Sequence, residues 1–173
     1  YIQTTPIQLC LMTAQIANGG YKIYPKIVMD DKNKVSPIDK FTPLYKNSKN
    51  IKIVQDAMFA STNEVTGTSY RSRIDDPKYQ FAGKTGTAQV KKITERDREL
   101  DLKTFQIPYE ERDHALYIAY GPYKNPRYAV SILVEHGGNG STTAAPMAKK
   151  LFKTIIDRHQ LRESINNKKY LDI

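Results

Sequence analysis

The segment Gly83-Lys84-Thr85-Gly86-Thr87-Ala88 combines a charge, two hydroxyls and two glycines within a stretch, 79–90, that has strand character. Glycine is unfavourable inside a strand unless another backbone approaches closely, for example a peptide that adds along the strand edge. Lys84 offers a compact positive charge, and Thr85 and Thr87 place two hydroxyls on the same strand face. We therefore predict a clamp for a terminal carboxylate, with the Thr87 N–H directed at a developing oxyanion. An edge strand with an exposed lysine is the simpler alternative, and the segment alone leaves it open.

Nucleotide-binding and esterase interpretations of the glycine-rich segments are rejected. Gly83-Lys84-Thr85 resembles the end of a phosphate-binding loop, but that motif needs a glycine at the position of Lys78 and a helix afterwards. The glycine-rich loop 136–140 does not follow the dinucleotide fingerprint, and the chain contains no Gly-x-Ser-x-Gly nucleophile elbow. A loop that leads into a helix is the simpler interpretation of 136–140.

Neither a metal nor a cofactor is expected from the residue types. His114, His136 and His159 are far apart in the sequence and lack metal-ligand spacing. The single cysteine, Cys10, excludes an internal disulfide and a cysteine-built zinc site. Its position in an apolar helical stripe predicts a buried small hydrophobe rather than a reactive thiol.

The composition limits the class of protein. A net charge of +9 permits a polyanionic partner, but the basic residues are scattered among acidic ones, so we expect no nucleic acid partner. Hydrophobic residues make up 39% and charged residues 26% of the 173-residue chain, which is typical of a globular domain. Apolar runs such as 115–120 are much shorter than the roughly 20 residues of a membrane helix. The first residue is Tyr rather than Met, which predicts a piece of a longer protein.

The elements that would position Lys84 follow from periodicity and turn chemistry. Thr5 can cap a helix that begins at Pro6, and Asn18-Gly19-Gly20 can end it. Two apolar strips on this helix predict burial over much of its circumference. We predict helices at 5–17, 49–60 and 142–159, strands at 79–90, 114–120 and 127–135, an extended region at 21–46, and an exposed, partly helical insertion at 91–113.

This order of elements predicts the α+β fold class with an antiparallel sheet. The last strand would place Tyr128, Val130, Ile132 and Val134 on one face. The final helix carries an apolar stripe that we expect to pack on the sheet, formed by Leu151, Phe152, Ile155 and Ile156. Residues after 160 are polar and basic, so we predict one domain over 1–160 and a fraying tail over 161–173.

Several segments, in the same order along the chain, resemble penicillin-binding proteins and serine β-lactamases. Lys84-Thr85-Gly86 resembles the third active-site motif of this family, Lys-Thr-Gly. The remaining segments are most similar to class B enzymes of the elongation-type group, penicillin-binding protein 2. They are Thr5 to Leu9 with Ala17 to Gly20, Gly67-Thr68, His114 to Pro122, Arg127 to Gly138, and Ala145-Pro146.

The resemblance implies a fold, an activity and roles for the motif residues. The fold would be the penicillin-binding protein/β-lactamase-like transpeptidase fold, an antiparallel sheet flanked by helices. The activity would be that of a D,D-transpeptidase, in which a Ser attacks a D-Ala-D-Ala stem peptide of peptidoglycan, releases the last D-Ala and passes the acyl group to an amine. Lys84 would polarise the site and support proton transfer. Thr85 and Thr87 would bind the substrate carboxylate, the Thr87 N–H would stabilise the oxyanion, and Gly86 would leave room for the peptide.

The resemblance also implies partners and a location. They are peptidoglycan stem peptides, β-lactams that acylate the same Ser, the upstream half of the same domain, and membrane proteins of the elongation machinery. The location would be the periplasmic face of the bacterial inner membrane.

The chain departs from the family at its nucleophile. No Ser has a Lys three residues later, so Ser-x-x-Lys is absent. Ser61-Thr62-Asn63 matches the second motif, Ser-x-Asn, by letter, but the family has that motif far upstream, so we interpret the match as a coincidence. The chain therefore resembles the C-terminal half of a transpeptidase domain and should not catalyse alone. A β-lactamase or β-lactam sensor of the same fold, and a non-catalytic basic binding module, remain as alternatives.

Overall fold

The computed structural model describes residues 3–27, 42–92, 95 and 102–171. Its centre is an antiparallel sheet of three strands in the order β1-β2-β3: β1 (Ala82–Ala88), β2 (His114–Gly121) and β3 (Tyr128–Val134). Lys84 pairs with Ile118 across β1 and β2, and Ala119 pairs with Val130 across β2 and β3. The predicted α+β class, strand order and antiparallel pairing are confirmed.

Helix α1 (Pro6–Ala17) begins and ends where the sequence predicts. The Thr5 hydroxyl accepts from the Gln8 N–H at 3.4 Å, and the Gln8 side chain accepts from the Thr5 N–H at 2.8 Å, which forms a capping box. Gly19 and Gly20 end the helix with positive φ of 93° and 88°. The predicted burial of two apolar strips is wrong, because α1 rests on β2 and β3 along one side only. Thr13 is the buried residue of the helix, and Ile7 is 57% exposed.

Helix α2 (Ser48–Asn63) starts at the Asn47 cap and continues past the predicted end at Ala60 to Asn63. The additional residues matter, because Thr62 is fully buried and Asn63 reaches β1. The C-terminal part of α2 packs against β1, and Met58 joins a small core with Ala82 and Tyr120. This helix and α1 cover one face of the sheet.

Helix α3 (Ala145–Leu171) covers the other face and follows a five-residue π-helical turn, Gly140–Ala144. The sequence predicts its end at His159, but the helix continues to Leu171. It meets no glycine or proline after Pro146 that would stop it, so the predicted tail is helical as far as Leu171. The domain boundary at residue 160 stays a prediction.

The main core lies between α3 and the sheet. Phe152 and Ile156 of α3 are buried against Phe81 and Tyr117, and the Phe81 and Phe152 rings stack with centroids 5.0 Å apart. The predicted face of β3 packs here, with Tyr128, Val130, Ile132 and Val134 partly buried. Leu151 is 37% exposed, which corrects the predicted stripe. It lies on the neighbouring i,i+4 row of the helix, whereas Ala148, Phe152 and Ile156 form the row that contacts the sheet.

Part of the predicted insertion 91–113 lies outside the described residues, namely 93–94 and 96–101. The described part contains two short 3₁₀ turns, Thr104–Gln106 and Tyr109–Glu111, and most of its residues are exposed. The partial helicity predicted from sequence is therefore 3₁₀ in character over 104–111, and residue 95 is α-helical.

Candidate active site

Strand β1 carries the Lys84 segment in a strand, as predicted, and not in a phosphate-binding loop. Thr85 pairs with Tyr117 and Thr87 pairs with Ala115, so the two threonines share the sheet face that α3 covers. Lys84 and Thr87 are exposed and Thr85 is half-buried. The Lys84 Nζ donates to the Thr85 carbonyl oxygen at 3.0 Å and contacts the Thr85 hydroxyl at 3.2 Å. The ammonium therefore lies at Thr85, two residues before Thr87 on the same strand.

The outer edge of β1 is closed along its first part by the end of α2. The Gly83 N–H donates to the Thr62 hydroxyl at 3.1 Å, and the Asn63 side-chain amide donates to the Phe81 carbonyl oxygen at 2.9 Å. In an antiparallel ladder every second residue directs its backbone groups outward, so Thr85 and Thr87 direct theirs to the same edge as Gly83. No strand in the described part of the chain pairs with this edge. An extended peptide can therefore add to β1 from Thr85 onward.

Three buried hydroxyls lie beneath the start of this open edge. The Tyr117 hydroxyl lies 2.9 Å from the Thr62 hydroxyl and 3.1 Å from that of Ser69. Burial raises the pKa of the Tyr117 hydroxyl, against the opposing effect of the hydrogen bonds from Ser69 and Thr62. Tyr117 is thus a neutral phenol that ties α2, the segment around Ser69 and the sheet together. Its side chain also explains the first glycine of the motif, because a Cβ on Gly83 would overlap the Tyr117 ring and hydroxyl.

The second glycine of the motif, Gly86, has a different environment. A Cβ there would meet the Leu116 Cβ at 3.3 Å, which is close but not an overlap. Gly140, at the start of the π-helical turn, packs directly on the backbone of Gly86 and Leu116, where a side chain would not fit. The chain before α3 is therefore held against the middle of β1.

The Gly67-Thr68 segment, which the sequence comparison with the family singles out, lies beside the threonines. The Thr68 hydroxyl is 3.5 Å from that of Thr85 and 3.3 Å from that of Ser61. A Cβ on Gly67 would overlap the carbonyl groups at the end of α2, so this glycine permits the close turn that brings Thr68 to the strand. The structure thus brings Thr68 and Lys84 to Thr85, on the strand that also carries Gly86 and Thr87.

Sequence reasoning missed the residues that hold β1 in place. Thr62, Asn63, Ser69 and Tyr117 carry no motif of their own, and Ser61-Thr62-Asn63 was interpreted as a chance match to a catalytic motif. In the structure these residues have a structural role, since the Thr62 and Asn63 side chains form hydrogen bonds with the backbone at the start of β1. The signal available in the sequence was the polar end of an otherwise amphipathic helix.

Other chemistry has little support in the described residues. No group of three or more His, Cys, Asp or Glu side chains in the described ranges is placed to hold a metal ion. Cys10 is half-buried, its Sγ contacts the Ala129 carbonyl oxygen at 3.4 Å, and burial raises its pKa. Within the same ranges, no helix has the length and apolarity to cross a bilayer.

The fold and the edge-strand Lys-Thr-Gly motif define the penicillin-binding transpeptidase class. Residues 2–156 match the family model "Penicillin binding protein transpeptidase domain", and the chain belongs to this family. The resemblance to a class B enzyme of the penicillin-binding protein 2 group, predicted from sequence, is confirmed by the relatives described next.

The most informative relatives are named peptidoglycan D,D-transpeptidase MrdA. The protein of Salmonella typhimurium (strain LT2) is 31% identical over 169 residues, which is 91% of this chain and 26% of the relative. That of Acinetobacter baumannii is 33% identical over 161 residues, 86% of this chain and 22% of the relative. The chain thus spans about a quarter of the length of these curated relatives.

Solved structures of penicillin-binding protein 2 are also similar to this chain. The complex between penicillin-binding protein 2 and MreC from Helicobacter pylori matches with a TM-score of 0.68 and 29% identity, over 89% of this chain and 25% of that chain. Penicillin-binding protein 2 of Pseudomonas aeruginosa, solved with WCK 5153, matches with a TM-score of 0.65 and 32% identity, over 89% and 31%. The penicillin-binding protein transpeptidase fold predicted for the chain is confirmed.

Proposed function

We propose that this chain is the part of a serine-type peptidoglycan D,D-transpeptidase that binds the donor peptide and stabilises the oxyanion. The observation that carries the proposal is the half-open edge of β1. Lys84 contacts Thr85 there, Thr87 follows on the same strand face, and α2 closes the edge only as far as Gly83. The names of the relatives support the reaction type.

The proposed chemistry follows from these groups. A stem peptide ending in D-Ala-D-Ala lies antiparallel along β1 from Thr85, and its terminal carboxylate accepts hydrogen bonds from the Thr85 and Thr87 hydroxyls. The Thr87 N–H donates to the oxygen of the carbonyl under attack, where negative charge develops. Gly86 has no side chain that would obstruct the docked peptide.

Lys84 supplies positive charge next to the same carbonyl. Its ammonium already lies at the Thr85 carbonyl oxygen and hydroxyl, so it can attract the substrate carboxylate and support proton transfer. The nucleophilic Ser comes from residues outside this chain, because Ser-x-x-Lys does not occur in it. Its oxygen bonds to the carbonyl carbon, the bond to the last D-Ala breaks, and that amine leaves with a proton. An acceptor amine then displaces the Ser from the acyl group.

The proposal extends to inhibitors, partners and location. β-Lactams would acylate the same Ser while their carboxylate binds Thr85 and Thr87. A membrane protein of the MreC type would be a partner, since MreC is bound in the Helicobacter pylori complex. The site would work at the periplasmic face of the inner membrane, where peptidoglycan is assembled.

Acylation of the full-length protein by a fluorescent penicillin tests the proposal. Lys84→Ala should lower the acylation rate by at least about 100-fold, since it removes a charge from the reacting centre. Lys124→Ala, in the exposed turn between β2 and β3, is the matched control and should acylate at the wild-type rate. Equal rates in the two variants, or no acylation of the wild-type protein, would contradict the proposal.

A further inference from the structure

A groove lies beside the strand edge, on the face of the molecule that α3 covers. It runs between the segment 65–72 and the first turns of α3 and encloses about 810 Å³. We call it the basic groove. Its lining consists of Val65, Gly67, Thr68, Tyr70, Arg71, Ser72, Ser141, Thr142, Pro146, Lys149, Lys150 and Lys153.

The charge of the basic groove has one sign. Arg71, Lys149, Lys150 and Lys153 line it, and no acidic side chain does. None of these four cations forms an ion pair with the described residues. Asp157, one turn beyond Lys153, interacts with Lys153 electrostatically, and its carboxylate is also bound by Tyr79 and Lys78. Like charges held together without counter-charge destabilise a folded surface, so an anionic ligand would stabilise this one.

The arrangement suits a ligand that carries more than one anionic group. Lys149 and Lys153 are four residues apart and therefore lie on the same side of α3. Arg71 lines the same groove from the segment 65–72, and its guanidinium can bind a carboxylate with two hydrogen bonds. Hydroxyls of Thr68 and Thr142 and the ring of Tyr70 also line the groove, together with the apolar side chains of Val65 and Pro146.

The basic groove is continuous with the edge of β1. Thr68 lines the groove, and its hydroxyl lies 3.5 Å from that of Thr85 at the start of the open edge. A peptide that lies along β1 can therefore extend past Thr68 into the groove without leaving the surface. This continuity favours an acidic peptide over a membrane or a nucleic acid, because neither of those would be presented in line with the strand.

We infer that the basic groove binds side-chain carboxylates of the same peptide that β1 holds by its backbone. The inference rests on the proposed function and names an acidic peptide as the ligand class. It makes the groove a specificity site, which selects peptides with free carboxylates over peptides in which they are amidated.

The test measures binding of two dye-labelled synthetic peptides to the full-length protein by fluorescence anisotropy. Both peptides end in D-Ala-D-Ala; one carries two free side-chain carboxylates and the other has both amidated. The wild-type protein should bind the acidic peptide about tenfold more tightly at low salt, and the difference should shrink as salt screens the exposed charges.

Charge-reversal variants test whether the basic groove causes this preference for the acidic peptide. Lys149→Glu with Lys153→Glu should weaken binding of the acidic peptide about tenfold or more relative to the amidated one, and Arg71→Gln should do so to a lesser extent. The matched control is Lys49→Glu with Lys124→Glu. Lys49 lies at the other end of α2, about 20 Å from Thr62 at 1.5 Å per residue, so the control should keep the wild-type preference. All these side chains are exposed, and a thermal melt of each variant checks the fold.

Three outcomes would overturn the inference. The wild-type protein binds both peptides with equal affinity; charge reversal in the groove lowers the affinity for both peptides equally; or the control variant also loses the preference for the acidic peptide. Binding of phosphatidylglycerol vesicles that disappears in the groove variants, with no preference between the peptides, would assign the groove to a membrane instead. Penicillin acylation of the wild-type protein separates these failures from failure of the proposed function, because acylation does not depend on the acidic peptide.

Discussion

The Thr62 hydroxyl occupies, at Gly83, the position that the backbone of a neighbouring strand would take. It accepts the Gly83 N–H at 3.1 Å and lies 3.4 Å from the Gly83 carbonyl oxygen. A helix side chain thus completes the edge of β1 at this residue and leaves the next outward-directed residue, Thr85, for an incoming peptide. The boundary between the closed and open parts of the edge falls within the Lys-Thr-Gly motif.

Replacing Thr62 by Val tests this boundary. Val has nearly the same shape but leaves the Gly83 N–H without a partner and leaves the buried Tyr117 hydroxyl with Ser69 alone, which should cost about 1–3 kcal/mol. We expect slower acylation of the full-length protein by penicillin, by roughly tenfold, and a lower midpoint of urea unfolding. Thr62→Ser should restore most of the acylation rate. A Thr62→Val protein that acylates at the wild-type rate would show that the hydroxyl has no part in positioning β1.

The two motif glycines should differ in their tolerance of alanine. A Cβ on Gly83 overlaps Tyr117, whereas a Cβ on Gly86 meets only the Leu116 Cβ at 3.3 Å. We expect Gly83→Ala to destabilise by about 2–3 kcal/mol and Gly86→Ala by less than about 1 kcal/mol. Urea unfolding of the two variants measures the difference, and similar losses in both would contradict the packing described here.

The contact between Tyr79, which precedes β1, and Asp157 of α3 should make the free energy of unfolding depend on pH in the acidic range. The Tyr79 hydroxyl, and to a lesser extent Lys78, lower the pKa of Asp157. The pKa of Asp157 in the folded state is therefore below its unfolded value of about 3.9. The ionised carboxylate then stabilises the folded state above about pH 4, and this contribution is lost as the pH falls through the lowered pKa.

The Asp157→Asn variant tests the direction of this pH dependence. The variant should melt at a lower temperature than the wild-type protein at pH 7, and the gap should narrow toward pH 2. Glu110→Gln, an exposed carboxyl in a 3₁₀ turn, is the control. A gap that widens on acidification would refute the assignment.

The 173-residue chain expressed alone should form no covalent adduct with fluorescent penicillin, because it has no Ser-x-x-Lys nucleophile. It should also self-associate. Ile7 and Met12 of α1 are 57% and 42% exposed, and Leu133 of β3 is 39% exposed, so apolar surface is available on both elements. Size-exclusion chromatography and near-UV circular dichroism measure this. A monodisperse monomer with a sharp cooperative transition, or a labelled Ser, would contradict the prediction.

Elements with local signals were predictable from the sequence. The Thr5 cap, Pro6 and Gly19-Gly20 determine where α1 begins and ends, because capping and left-handed stops depend on neighbouring residues only. The strand signals at 114–120 and 127–135 predict both strands, and the alternation in 127–135 predicts the face of β3 that packs in the main core. The two-residue spacing of Thr85 and Thr87 places them on one face of β1. These features depend on chain periodicity, which a sequence displays directly.

Features that depend on contacts between distant segments were decided by the tertiary structure alone. The closing of the β1 edge by Thr62, the overlap that requires glycine at Gly83, and the line from Thr85 through Thr68 into the basic groove each join residues from separate elements. Burial follows the same rule: Leu151 and Ile7 satisfy helical apolar spacing, but they are exposed because no described element packs over their side of the helix. Periodicity identifies the apolar side of an element, and only the partner that covers it determines which of those residues form the core.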